Sequence, residues 1–394
     1  MTKFHSKAGI SLAQLLLLLF FGLIEHAEQA AESRTCSELE VPLVDLEAKD
    51  GVQEATAAAC AEFGVFRPVG HGISDEDISR ALVAHRRLFA LPQPEKETVP
   101  IQPGGFTRGY VALGVESGTK NRLECKEAFS YGMDWEPDPR GANALQGPNA
   151  WPASLDPVSR HSLLRFFNES ARVSKQVAMG LADALGLQNS ESIAELCEGG
   201  ESISLMRAFR YFPESHGSCQ DGAAASVERI GSSPHTDWGF LTLILGDGGS
   251  GLQIYRGGQW LELDFEARKN PIVICGDYLK LATADRFTSP FHQVILPQSG
   301  QERASFVFFY YPRFDANFGE AARNGEALAH LSISDGPEAA HEPESDRGQH
   351  GEYNTMLDIA RGDPTALDAP FGEYILRKWG GVFQSTQEQA PLGG

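Results

Sequence analysis

Pro234-His235-Thr236-Asp237-Trp238-Gly239-Phe240-Leu241-Thr242-Leu243 sets an imidazole and a carboxylate two residues apart, directly before an apolar strand pattern. In extended backbone, residues i and i+2 leave the same face, so His235 and Asp237 would reach a common point. His292 lies 55 residues beyond Asp237, about the length needed to cross a two-sheet barrel and return on a neighbouring strand. Two neutral histidines and one carboxylate cover one face of an octahedral Fe(II) ion and leave three adjacent positions open, the arrangement of non-haem iron oxygenases. With 11 histidines in the chain, His-x-Asp alone is weak evidence; the strand context and the third ligand give it weight.

Working outward, short strand patterns run over Ser202–Phe212, Phe240–Leu245, Leu252–Tyr255, Trp260–Leu263, Ile272–Cys275, His292–Leu296 and Ser305–Tyr311, separated by Gly, Asp and Pro. That punctuation predicts a mainly β fold with flanking helices: a double-stranded β-helix (jelly roll) core behind a helical N-terminal region. The glycine-rich run Gly246–Gly251 opens no helix, so it is read as a hairpin turn rather than a phosphate loop. Upstream, Val41–Leu46 and Val65–Val69 read as strands, and Val52–Phe63, Asp75–Phe89 and Ser159–Leu185 as helices, the last stopped by Gly186. A formal glycosylation sequon, Asn168-Glu169-Ser170, falls inside that last helix and is read as coincidental.

The expected organisation is a leader over 1–30, a mixed helix/strand region over 41–190, the jelly-roll core over 200–315, an acidic flexible insertion over 318–352 and a C-terminal helical segment over 353–385. In that last segment a helix around Phe371 to Trp379 should pack back on the body. Lys3 and Lys7 precede an apolar run from Leu12 to Ile24, the pattern of a secretory signal or membrane anchor. An organelle presequence is an alternative, as is a cytoplasmic protein, and any membrane association would run through residues 8–24.

The formal net charge of −20 sets a field that repels polyphosphate and argues against a nucleic-acid partner. Six cysteines (Cys36, Cys60, Cys125, Cys197, Cys219, Cys275) show no metal-type spacing and are read as buried free thiols.

Arg303 and Ser305, again two apart, open the run Phe306-Val307-Phe308-Phe309, so guanidinium and hydroxyl would share a face looking into an apolar barrel and suit a carboxylate. Arg207 and Arg210 fall on opposite sides of one strand, so only one of them can point inward. Arg108, in a glycine-rich stretch, reads as a solvated loop arginine with the substrate mouth as the alternative, and Trp238 as a candidate pocket wall. His71, His85 and His161 have no partner spacing and are taken as structural or exposed.

Together these runs resemble the isopenicillin N synthase-like family of iron and 2-oxoglutarate-dependent dioxygenases, from Val41 to about Val382. The likeness is carried by VPLVDL, ACAEFGVFRPVGHGI (Ala59–Ile73), FALP (Phe89–Pro92), RGYVALGVE (Arg108–Glu116) and ECKEAFSYG (Glu124–Gly132). In the core it is carried by MRAFRYFP (Met206–Pro213), HTDWGFLTL, GDYLKLATADRFTSPFHQV (Gly276–Val294) and RASFVFFYYP (Arg303–Pro312). The resemblance implies that His235, Asp237 and His292 bind iron while Arg303 and Ser305 hold the distal carboxylate of the cosubstrate 2-oxoglutarate. It further implies that O₂ oxidises a small organic substrate by hydroxylation, desaturation or ring closure, with release of succinate and CO₂. One departure stands out: many members carry Asn-Tyr-Tyr where this chain has Arg210-Tyr211-Phe212, so the hydroxyl of the second tyrosine, which touches the cosubstrate, is missing. The family also contains an Fe(II)/O₂ oxidase that uses no keto acid and grips its substrate with the same Arg-x-Ser pair. That activity, and a noncatalytic jelly-roll binding protein, remain the alternatives.

Overall fold

The computed structural model describes residues 38–101, 108–116, 122–136, 143, 145–187, 189–199, 202–220, 227–263, 271–283, 285–297, 300–317 and 369–376. The chain divides at Glu38/Leu39, and among the described residues the strands, long helices and cavity discussed below belong to Leu39–Gly394. The leader and the acidic insertion fall outside the described residues.

Two sheets face each other. The larger has eight strands in the order Leu43–Asp45, Val65–Val69, Ile272–Cys275, Leu241–Gly246, Arg303–Tyr310, Leu205–Tyr211, Lys126–Gly132, Gly109–Val111. The smaller sets Gln259–Leu263, Leu252–Arg256, His292–Val294 and Ser232–His235 side by side. Within these strands every pairing is antiparallel except that of Leu43–Asp45 with Val65–Val69. Apart from the Leu252–Arg256/Gln259–Leu263 hairpin, core strands from Ser232 onward alternate between the sheets, the mark of a jelly roll.

From Phe306 to Phe309 the Arg303–Tyr310 strand is continuously apolar because both of its faces are covered. Its even residues meet the 28-residue helix Pro157–Ala184: Phe306 packs on Phe166 with ring centroids 4.9 Å apart, and Phe308 on Phe167 at 5.1 Å. Its odd residues Arg303, Ser305, Val307 and Phe309 face the space between the sheets. Truncating a buried ring such as Phe306 to alanine would cost about 3–5 kcal/mol.

The helix itself is bounded by local chemistry. Asp156 accepts a hydrogen bond from Ser159 N ahead of Pro157, which suits a first helical turn. At its end Gly186 adopts φ +72°, while Leu187 N donates to Ala182 O and Gly186 N to Asp183 O, a Schellman closure. Ser170 of the sequon is fully buried, its hydroxyl donating to Phe166 O.

Two expectations are corrected. Gly246–Gly251 is not a hairpin turn, because the strands it joins lie in different sheets. Turn residues report a chain reversal but not which sheet the next strand enters. The Asp247 carboxylate holds the turn, accepting from Gly249 N and from Ala304 N on the Arg303–Tyr310 strand. Arg108 is not a solvated loop residue; it is 1% exposed beside Gly132, and burial lowers its pKa to about 10.

The five described cysteines are buried and free, and Cys36 lies outside the described residues. Residues 371–376 are helical and dock through Phe371 against Tyr278, centroids 4.8 Å apart, as the sequence predicts for the start of the last helix. Among the described residues no helix is long and apolar enough to cross a membrane.

Candidate active site

A cavity of about 190 Å³ opens between the sheets, and His235, Asp237, His292, Arg303 and Ser305 all line it. His235 and His292 are direct cross-strand partners in the antiparallel pair that links their strands, with ring centroids 4.3 Å apart. Asp237 lies beyond the strand end, so strand alternation is not what aims it. Its backbone carbonyl instead accepts from Asp277 N at 2.7 Å, at the start of the short helix Asp277–Ala282.

One ligand atom from each of the three residues falls within 4.8 Å of the others. Asp237 Oδ1 lies 3.7 Å from His235 Nε2 and 3.8 Å from His292 Nε2. The second imidazole nitrogens are engaged by carbonyls: His235 Nδ1 donates to Ser233 O at 2.7 Å and His292 Nδ1 to Pro290 O at 3.1 Å. A carbonyl only accepts, so each Nδ1 carries the proton and each Nε2 presents its lone pair to the cavity. The His235 ring is 42% exposed, and it lines the cavity; enclosure by protein and the neighbouring His292 bring its pKa down to about 4, which keeps it neutral. Asp237 Oδ2 is buried with no hydrogen-bond partner, and a buried carboxylate oxygen without a donor is costly unless a cation satisfies it. Two imidazoles and a carboxylate converging this way fit an octahedral divalent iron.

Asp277 ties the two ligand segments together. It is fully buried, and its carboxylate accepts from Thr236 Oγ1 at 3.0 Å and from Ser289 Oγ at 2.8 Å. One contact lies between His235 and Asp237, the other three residues ahead of His292.

On the facing sheet Arg303 is 2% and Ser305 1% exposed, opposite Tyr211 and Phe209 respectively. The Arg303 guanidinium lies 4.9 Å above the Tyr211 ring, and its Nε donates to Gly249 O. The Ser305 hydroxyl is buried without a partner, a polar atom poised for a ligand acceptor. Tyr211 lines the cavity, whereas Phe212 turns away to join Cys125 and Cys219 and stacks on His216. The missing hydroxyl at Phe212 therefore does not touch the site, and the departure noted in the sequence loses its force.

Of the two strand arginines, Arg207 points inward and Arg210 outward, toward Glu127 and Glu302. Trp238 is part of the wall. His71 and His85 are buried, His161 is exposed, and none of them lines the cavity.

Reasoning from the sequence missed Glu116, Glu124 and Lys126 on the cavity wall. The available signal was the i, i+2 spacing of Glu124 and Lys126 just ahead of the Ala128–Tyr131 strand pattern. Glu124 accepts from Ser233 N at 2.7 Å and pairs with Lys126 Nζ at 2.7 Å. Burial raises its pKa, but Lys126 and Ser233 outweigh that and hold it below the usual carboxylate value.

Known proteins bear on this geometry. Residues 41–154 match the N-terminal region of a non-haem dioxygenase in morphine synthesis, and residues 203–312 match the 2OG-Fe(II) oxygenase superfamily. The 2-oxoglutarate-Fe(II) type oxidoreductase hxnY of Emericella nidulans is 32% identical, over 67% of this chain and 74% of that protein. Jasmonate-induced oxygenase 4 of Arabidopsis thaliana is 28% identical over 71% of this chain and 75% of that one. The crystal structure of JOX2 in complex with 2OG, Fe and JA superposes with a TM-score of 0.57 at 27% identity, covering 72% of this chain and 78% of that one. By fold, by sequence and by the chemistry of its cavity, this chain belongs to the 2OG-Fe(II) oxygenase superfamily and is an iron- and 2-oxoglutarate-dependent dioxygenase.

Proposed function

We propose that His235 Nε2, Asp237 and His292 Nε2 hold Fe(II), that Arg303 and Ser305 hold the distal carboxylate of 2-oxoglutarate, and that the enzyme hydroxylates a small organic substrate. Desaturation or ring closure are variant outcomes of the same site. The observation that carries this reading is the convergence of three ligand atoms within 4.8 Å in a cavity whose opposite wall bears a buried arginine and an unpartnered hydroxyl. When bound, iron and 2-oxoglutarate together supply the oxidising equivalents from O₂, with succinate and CO₂ as co-products. The chain's own contribution is positional. Carbonyls fix both imidazole tautomers, Asp277 holds the two ligand segments in register, and Arg303 with Ser305 orients the keto acid from the facing sheet. Phe209, Trp238, Val307 and Phe309 make an apolar wall that keeps bulk water from the reacting atoms.

The test is anaerobic addition of Fe(II) and 2-oxoglutarate, read as a visible charge-transfer band, followed by succinate release in air. His235→Ala should abolish both. Arg303→Leu should spare iron binding but raise the KM for 2-oxoglutarate about 10- to 100-fold, matching the roughly 1.5–3 kcal/mol of a charge-assisted hydrogen bond. An unchanged keto-acid requirement in Arg303→Leu would refute the cosubstrate assignment. O₂ consumption without succinate would point instead to an oxidase that needs no keto acid.

The run Leu12–Ile24 with its preceding lysines supports reading residues 1–30 as a targeting segment. Fractionation of cells expressing the chain with and without those residues tests it, and identical distributions would refute it.

A further inference from the structure

The cavity holds a charge pair that the iron and keto-acid assignments leave unused. Glu116 is 9% exposed and lines the cavity, with Oε2 accepting from Arg207 Nη2 at 2.7 Å. Arg207 Nε donates in turn to Ser130 Oγ at 3.1 Å, so the carboxylate is held by a guanidinium that is itself fixed. The other oxygen, Oε1, is buried and has no hydrogen-bond partner. A carboxylate oxygen has lone pairs and no hydrogen, so whatever satisfies it must be a donor.

The register says which part of the cavity this is. On the Leu205–Tyr211 strand the inward residues Tyr211, Phe209 and Arg207 oppose Arg303, Ser305 and Val307 in turn. Arg207 therefore sits four residues from the Arg303 position, roughly 13 Å along the strand, and Glu116 lies with it at the end remote from the keto-acid clamp. That end is the one left for substrate.

The charges of the wall decide what kind of donor fits. Glu116, Glu124 and Asp237 are offset by Lys126, Arg207 and Arg303, and a divalent cation is offset by a dianionic keto acid. A net charge on the substrate would have no counter-charge in a desolvated space.

Resting on the functional reading above, we propose that Glu116 Oε1 is a substrate-binding acceptor and that the substrate is an uncharged small molecule with an O–H or N–H donor. Arg207 is the positioning residue that holds Glu116 in place.

The test is anaerobic calorimetric binding, to the protein loaded with Fe(II) and 2-oxoglutarate, of 2-naphthol and benzamide against 2-methoxynaphthalene and N,N-dimethylbenzamide, with 2-naphthoate as the charged probe. The wild-type protein should bind the two donors at least ten-fold tighter than their methylated counterparts and than 2-naphthoate. In Glu116→Gln the amide oxygen stays on Arg207 and the NH₂ replaces Oε1 as a donor; every neutral probe carries an acceptor, so the ten-fold preference for the O–H and N–H donors should disappear. A merely structural role would weaken all ligands together and leave their order unchanged. Equal binding of donors and methylated probes by the wild type, a donor preference kept in Glu116→Gln, tighter binding of 2-naphthoate or no binding of any probe would each overturn the proposal. Failure of the iron and succinate tests would count against the cofactor residues instead, because this experiment reads neither.

Discussion

Replacing Asp277 by alanine should damage the metal site without removing a single ligand. Its carboxylate accepts from Thr236 Oγ1 at 3.0 Å and Ser289 Oγ at 2.8 Å, one hydroxyl in each segment that carries the ligand histidines. Hydrogen bonds to a charged group contribute about 1.5–3 kcal/mol each, so losing both outright would cost about 3–6 kcal/mol. Removing a buried carboxylate also removes its own desolvation cost, which brings the expected loss to about 3 kcal/mol at most. The larger signal should be in the metal. Groups that orient ligands without touching the ion typically change its affinity about 10- to 100-fold, or roughly 1.4–2.7 kcal/mol. Stability would be read by chemical denaturation and Fe(II) affinity by anaerobic calorimetry, below the unfolding transition. Asp277→Asn keeps the shape and one acceptor oxygen, and should fall between the wild type and Asp277→Ala in both measurements. A folded Asp277→Ala variant that binds Fe(II) within about threefold of wild type would refute the reasoning. The direct pairing of His235 with His292 would then suffice to hold the ligands.

His85 is 2% exposed, its Nε2 donates to Phe209 O at 2.9 Å, and burial lowers its pKa to about 4. Because the folded value lies below the ordinary 6.5, its contribution is fully present above pH 6.5 and is lost as pH falls toward 4. Over that interval the wild type should lose about 3 kcal/mol more stability than His85→Gln, measured by denaturation at several pH values, and parallel curves would show the histidine to be irrelevant. Gly276 approaches Gly239 so closely that an added Cβ would lie 2.1 Å from the Gly239 carbonyl oxygen. Gly276→Ala should therefore shift the segment following Asp237, lowering stability by about 3 kcal/mol and weakening Fe(II) binding with it. An unchanged melting temperature would contradict that packing.

The strands and helices were legible because their signals are local. Val65–Val69, Asp75–Phe89 and Ile272–Cys275 fall where the apolar period and the bounding turn residues put them. Arg303 and Ser305 share the inward face because side chains alternate along a strand whatever the rest of the chain does. The Gly246–Gly251 turn, the burial of Arg108 and the inward face of Glu116 were not legible, since each depends on which distant segment lies opposite.

The chemistry on offer was readable residue by residue: two imidazoles, a carboxylate and an Arg-x-Ser pair, each placed on or beside a strand by periodicity and turn residues. Long-range contacts set His235 directly across from His292, turn Phe212 from the site while Tyr211 faces it, and bring Glu116 and Asp277 there at all. Register and the assignment of strands to sheets arise from contacts between residues far apart in the chain, and no local pattern encodes them.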